Sequence, residues 1–375
     1  MIRQICFFMI LVLFAASLSG CNPIKSLDPI PEYSEQQEAE SSDEQDYKER
    51  VSRSMDDFFK TLEIDNHFSG YILVGTQDEI VYAGGNGYSD FELKLENNIK
   101  TKFKVASISK QFIATAIMQL QEKGKININD KLSKYIPEFP HSDKITIHQL
   151  LTHGSGLETD ASDYDIRNYI PREDKKTATG AKRSKDVALL FNPGDEFNYS
   201  NVGYILLSYV VEKVSNQDID VYFKENIFDP LEMTGTGFIN PDTIISNFAV
   251  GYLNGEQAFT SPDKYLFKVD QDAASGFYSC AEDLYKWNLE LHSGKILKPE
   301  TRDKMLTRYN NNYGYGWNIY GDSPNPITYA HDGNTKGYTS KLIKTSEGVS
   351  IIILSNYDIA NLAHILDNII LILVD

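Results

Sequence analysis

Ser107 and Lys110 stand three residues apart where the extended-looking run Phe103-Lys104-Val105-Ala106 gives way to SISKQFIATAIMQLQEKG. The second stretch carries apolar residues at 108, 112, 113, 116, 117 and 120, which is helical spacing, and Gly124 fits its C-terminal stop. Residues i and i+3 share one face of a helix, so the two side chains point the same way. A serine hydroxyl is a weak nucleophile until a base takes its proton, and an amine at hydrogen-bond distance is such a base. The helix N-terminus adds free N–H groups and a dipole that favour developing negative charge. Ser109 precedes Lys110 directly and faces elsewhere. Taken alone, S-x-x-K describes a helix-capping serine and a surface lysine just as well.

Two later clusters can complete such a site. Tyr199-Ser200-Asn201 opens the apolar, helix-like VGYILLSYVV, and His331-Asp332-Gly333 precedes the strand-like GYTSKL. A tyrosine hydroxyl is a proton carrier, although a chain with 23 tyrosines has many that serve only as core aromatics. Other candidates fall away. His153-Gly154-Ser155-Gly156 lacks the G-x-S-x-G of a nucleophile elbow and reads as a structural turn. The histidines are scattered, with no H-E-x-x-H and no Cys-x-x-Cys, so neither a metal nor a cofactor is implied. Tyr313, Tyr315 and Trp317 fit a cleft wall or a core equally well.

The elements that must position these residues are legible in outline. RVSRSMDDFFKTLEI reads as a helix with Met55, Phe58, Phe59 and Leu62 on one face. GYILVG and EIVYAGG are strand-like, as are GYGWNIY, ITYAH, GYTSKLIKT and VSIIILS toward the C-terminus. The closing NLAHILDNIILILVD reads as a helix packed on the sheet, since His364, Asp367 and Asn368 interrupt it. Strands at both ends with helices between predict an α+β fold, an antiparallel sheet flanked by helices and split by an all-helical insertion. The expected divisions are a sheet subdomain over about 51–115 and 270–375, and a helical subdomain over about 116–269.

The N-terminus reads as a targeting segment. Arg3 precedes the 14-residue apolar run Ile5 to Leu18, too short for a comfortable span and suited to a signal peptide over residues 1–20. Leu18-Ser19-Gly20-Cys21 resembles a lipoprotein box, which makes Cys21 the expected lipidation site. Residues 21–50 hold nine acidic and three basic side chains and three prolines, the composition of a disordered acidic tether. The expected location is therefore outside the cytoplasm, at a membrane held through the lipid. The net charge of −17 argues against nucleic acid and against polybasic lipid binding. Three cysteines, Cys6, Cys21 and Cys280, are too few for a disulfide framework or a zinc cluster.

The three clusters, in this order and spacing, resemble the serine β-lactamase and penicillin-binding-protein superfamily. The likeness is greatest to the branch of class C β-lactamases, D-alanyl-D-alanine carboxypeptidases, D-amino-acid peptidases and related esterases. It extends through FKVASISKQF, ITIHQLLTHGSGL, FNPGDEFNYSNVGYILLSYVVEKVSN, AASGFYSCAEDLYKW, NYGYGWNI and HDGNTKGYTSKL, over about residues 51–375. The resemblance implies Ser107 as acylated nucleophile, Lys110 as its base and Tyr199 as second proton carrier. It implies that Asn201 holds Lys110 and binds the substrate amide. His331 occupies the place of the lysine in the family's Lys-Thr-Gly. Gly333 would let the strand approach the substrate, and the N–H of Asn334 would join that of Ser107 in an oxyanion hole. Asp332 departs from the usual Thr or Ser, and if it faces the cleft its charge is expected to repel substrate carboxylates. The expected substrate is a small amide, peptide or ester, cell-wall fragments included. The alternatives are a β-lactamase and a slowly deacylating penicillin-binding sensor. The sequence does not specify an oligomeric state.

Overall fold

The computed structural model describes residues 37–65, 68–160, 187–239, 243–253, 276–321 and 327–374. The expected signal peptide and Cys21 lie outside the described residues. In chain order the N-terminal part comprises α1 (Gln37–Asp65), β1 (Gly70–Gly75), β2 (Ile80–Asn86), β3 (Tyr88–Asp90), β4 (Leu95–Glu96) and β5 (Phe103–Lys104). The middle comprises α2 (Ser109–Glu122), α3 (Ile147–Leu151), α4 (Asn201–Ser215), α5 (Ile219–Phe223), β6 (Gly237–Phe238) and β7 (Phe277–Ser279). Then follow α6 (Ala281–Ser293), α7 (Pro299–Met305), β8 (Asn318–Tyr320), β9 (Thr328–Thr335), β10 (Tyr338–Thr345), β11 (Ser350–Ser355) and α8 (Leu362–Val374).

The main sheet runs β2-β1-β11-β10-β9-β8, and every neighbouring pair is antiparallel. Its central strands read as unbroken apolar runs because both faces are covered. Along β11, Ile351 and Ile353 join one apolar cluster while Ile352 and Leu354 join the other. The first cluster holds Val51, Met55, Phe59 and Leu62 of α1 with Ile365 and Ile369 of α8. The second holds Phe112, Ile113 and Ile117 of α2, Leu206, Leu207 and Val210 of α4, and Leu284 and Trp287 of α6. The α+β architecture read from the sequence is the one observed, and α8 packs on the sheet as expected. Among the described residues no helix is long and apolar enough to cross a membrane.

One boundary differs. Helix α1 begins at Gln37, well inside the stretch expected to be a disordered tether. Glu, Gln, Ala, Lys and Arg dominate Gln37–Arg50, and all are good helix formers. Tertiary contacts then anchor the segment: the Tyr47 hydroxyl donates to the Leu373 carbonyl at 2.8 Å, and Lys48 pairs with Glu79. The polar composition that signals disorder is here that of a helix whose side chains from Gln45 to Arg50 are exposed or half-buried.

Candidate active site

Ser107 lies in the tight 3-10 turn Ala106–Ile108 that leads from β5 into α2. Ala106 takes a left-handed backbone (φ 45°), a conformation that non-glycine residues rarely hold without support. The support is at hand: the Val105 N–H donates to Phe277 of β7, and the Ile108 N–H closes the turn on the Val105 carbonyl. Gly316 presses its backbone against α2, where a Cβ would stand 2.8 Å from the Gln111 Cα. Lys110 is fully buried on the first turn of α2, and its Nζ lies 3.0 Å from Ser107 Oγ, the i, i+3 geometry expected from the sequence.

Asn201 opens α4, which the Ser200 side chain caps by accepting the Gly203 N–H at 3.1 Å. That cap points Asn201 at Lys110: Oδ1 accepts from Nζ at 2.7 Å, and Nδ2 donates to Asp160. Lys110 Nζ also stands 5.0 Å from the centre of the Tyr199 ring. Burial raises the Tyr199 hydroxyl above its ordinary value, while its hydrogen bond with Ser107 works the other way. The resting state of Tyr199 is therefore the phenol.

Strand β9 forms the opposite wall. His331 faces the helical side, its partner on β10 being Leu342 of the same apolar cluster. Both ring nitrogens are engaged: Nδ1 at 2.7 Å from the Asp332 carbonyl, Nε2 at 3.1 Å from the Tyr313 hydroxyl. A carbonyl only accepts, so Nδ1 carries the proton and Tyr313 donates to Nε2. Burial, aided by the charge of Lys110, lowers the His331 value to about 4, so the ring is neutral. Gly333 packs against the nucleophile turn so closely that any Cβ would overlap the Val105 carbonyl and the Ser340 hydroxyl. Thr335 and Tyr338 close a two-residue turn with Gly337 at φ 79°. The closing pair of such a turn is ordinarily the hydrogen-bonded one, and alternation then points the Asn334 N–H away from β10. Strand β8 pairs only with Thr328–Ala330, so among the described residues no strand covers this edge beside His331–Thr335. By this alternation the Asn334 N–H faces that open edge.

Asp332 corrects an expectation. Alternation puts it on the opposite face from His331, with Ala330, and it pairs with Lys341 directly across on β10. Its carboxylate is exposed, ion-paired and on the sheet's other face, so it does not line the cleft at Ser107. Tyr313, Tyr315 and Trp317 are all buried, and Tyr313 bonds the motif residue His331. Tyr315 instead bonds His148. Sequence reasoning missed the contribution of His153, whose ring lies 4.3 Å from that of Tyr199. Among the described residues no cluster of potential ligands could hold a metal ion.

A buried amine bonded to a serine at the mouth of a helix, beside an open strand edge, belongs to a serine hydrolase of the β-lactamase fold. The Beta-lactamase family model matches residues 55–374, and the chain belongs to that family. The chain is 32% identical over 322 residues to the putative penicillin-binding protein PbpX of Bacillus subtilis (strain 168), covering 82% of this chain and 77% of that one. A penicillin-binding protein from Bacillus halodurans superposes with a TM-score of 0.69 at 26% identity, covering 82% and 99% of the two chains. The D-amino acid amidase of Ochrobactrum anthropi SV3 shares the fold, with a TM-score of 0.69 at 19% identity and coverage of 87% and 98%.

Proposed function

We propose that the protein is an exported, lipid-anchored hydrolase that cleaves small amides, peptides or esters through an acyl-enzyme on Ser107. The observation that carries this reading is Lys110 Nζ, buried and within hydrogen-bond distance of both Ser107 Oγ and Asn201 Oδ1. As Ser107 Oγ attacks the carbonyl carbon, its proton passes to the amine of Lys110, which takes it only in the unprotonated form that burial promotes. The N–H groups of Ser107 and Asn334 receive the oxyanion. Tyr199 gives its proton to the leaving nitrogen or oxygen and recovers one from Lys110. Deacylation runs the same relay in reverse, with water in place of the leaving group. His331 spends both nitrogens within the protein and is neutral, so it presents no cation to a substrate carboxylate. This favours uncharged acyl compounds of the D-amino-acid amide and ester type over a dedicated β-lactamase.

The test is Ser107→Ala. It abolishes labelling by a fluorophosphonate, whereas Ser109→Ala and Ser155→Ala retain it. Labelling that survives in Ser107→Ala would remove the nucleophile. The name of the 32%-identical relative favours a second reading, a penicillin-binding protein that deacylates slowly. Steady turnover of a neutral nitrophenyl ester supports the hydrolase; a single burst supports the sensor. The anchor rests on Leu18-Ser19-Gly20-Cys21. Cys21→Ala releases the exported protein from membranes, and an unlipidated mature N-terminus by mass spectrometry refutes the anchor.

A further inference from the structure

His153 lies outside the three motifs, yet it holds the chain on both sides of Tyr199. Its main-chain carbonyl accepts the N–H of Asn198 at 2.9 Å, and its ring Nδ1 accepts the N–H of Ser200 at 3.0 Å. Between these two bonds the Tyr199 ring lies over the imidazole, 4.3 Å between centres and inclined by 34°. Three consecutive residues, 198 to 200, are thus held by one side chain and its own peptide. Ser200 carries the hold onward, since its Oγ caps α4 and sets Asn201 against Lys110.

The ring chemistry is restrictive. A nitrogen that accepts a backbone N–H carries no proton, so the neutral imidazole must bear its proton on Nε2. Nε2 has no hydrogen-bond partner and is enclosed by the rings of Tyr199, Tyr204, Tyr313 and Phe197. A residue needed only to fill this space would be apolar, because a buried unpaired donor is unfavourable. Burial, with Lys110 and His331 nearby, holds the ring well below its ordinary value, so Nδ1 stays an acceptor. The backbone at His153 is left-handed (φ 56°), which turns ring and carbonyl toward the same strand of chain. Asparagine is the residue best able to keep both features, since it tolerates that backbone and offers Oδ1 as acceptor.

We infer that His153 is a positioning residue for Tyr199, fixing the phenol over Ser107 and Lys110 by clamping the peptides on either side of it. This rests on the reading of Tyr199 as proton carrier. The test uses His153→Leu, His153→Asn, Tyr199→Phe and the double variant His153→Asn/Tyr199→Phe, with a neutral nitrophenyl ester. A misplacement of ~1 Å in a reacting group costs roughly 100-fold, so His153→Leu lowers kcat about that much with KM within about threefold. His153→Asn recovers about tenfold of the loss. In the Tyr199→Phe background, His153→Asn brings no further loss. Losses that multiply in the double variant, or a wild-type kcat in His153→Asn, overturn the inference while Tyr199→Phe remains impaired. A wild-type kcat in Tyr199→Phe overturns the proton-carrier reading itself. Should His153→Leu fail to fold, the cycle with asparagine decides alone.

Discussion

Gly333→Ala isolates the contact between β9 and the nucleophile turn. The glycine is not needed for backbone freedom, since its φ lies outside the left-handed range. It is needed for space. A methyl at this position stands ~1 Å or more inside van der Waals contact with the Val105 carbonyl and the Ser340 hydroxyl. The hydroxyl can rotate away, but the carbonyl belongs to the turn that carries Ser107 and accepts the Ile108 N–H. The strand must therefore retreat by about that distance, taking the next residue's N–H, that of Asn334, out of the oxyanion hole. Losing one such donor costs ~100- to 1,000-fold in kcat, or about 3–4 kcal/mol of transition-state stabilisation. The assay is kcat for a neutral nitrophenyl ester, with thermal unfolding in parallel to confirm the fold. Gly333→Ala/Ser340→Ala removes one overlap and leaves the other, so it recovers little. A folded Gly333→Ala enzyme with kcat within threefold of wild type refutes the placement of the oxyanion hole. So does full recovery in the double variant.

Three further outcomes follow from other parts of the molecule. Lys344 is buried and donates to the Asn288 carbonyl, and burial lowers its value to about 7, below the ordinary lysine value of 10.5. The unfolded chain therefore binds the extra proton between those values, and wild-type stability rises with pH across that window. Lys344→Met stabilises the protein at pH 7 by roughly 1–3 kcal/mol in urea unfolding, with a smaller gain at pH 9.5; an equal or reversed effect at the two pH values refutes this. Asp332→Thr leaves the ratio of acylation rates for benzylpenicillin and a neutral ester unchanged at low salt, because the carboxylate is ion-paired on the far face of the sheet; a salt-sensitive rise in penicillin acylation contradicts that placement. Tyr47→Phe removes the bond to Leu373 and costs ~1 kcal/mol, measured as a lower urea midpoint at unchanged slope.

The parts of the site written in short-range spacing were legible from the sequence. Ser107 and Lys110 meet because three residues make most of a helical turn, whereas Asn201, 91 residues on, was placed beside Lys110 only by the family resemblance. Strand runs such as VSIIILS were legible because both faces of β11 are buried. The same alternation turns Asp332 away from His331, which a three-residue motif does not reveal until its residues lie on a pleat. His153 was not legible. Its partner Ser200 lies 47 residues on, and nothing in a lone turn histidine specifies what will fold against it. The start of helix α1 at Gln37 is hard to read for a related reason. Composition reports how much apolar surface a segment can bury, and docking contacts such as those of Tyr47 and Lys48 are invisible to it.

A strand edge left bare for a substrate is equally bare to a second copy of the chain. Among the described residues no strand covers the outer edge of β9 beside His331–Asn334, and such an edge would template sheet-to-sheet association as readily as it receives a substrate. The alternation that sends Asp332 away from Ser107 places a carboxylate, an ion-paired lysine and, at the hairpin tip, the exposed Lys336 along this rim. Charges of this kind are readily accommodated beside a small acyl group but must be stripped of water when one strand zips against another. Where the family has Thr or Ser, position 332 thus adds a charge to the strand whose outer edge is open.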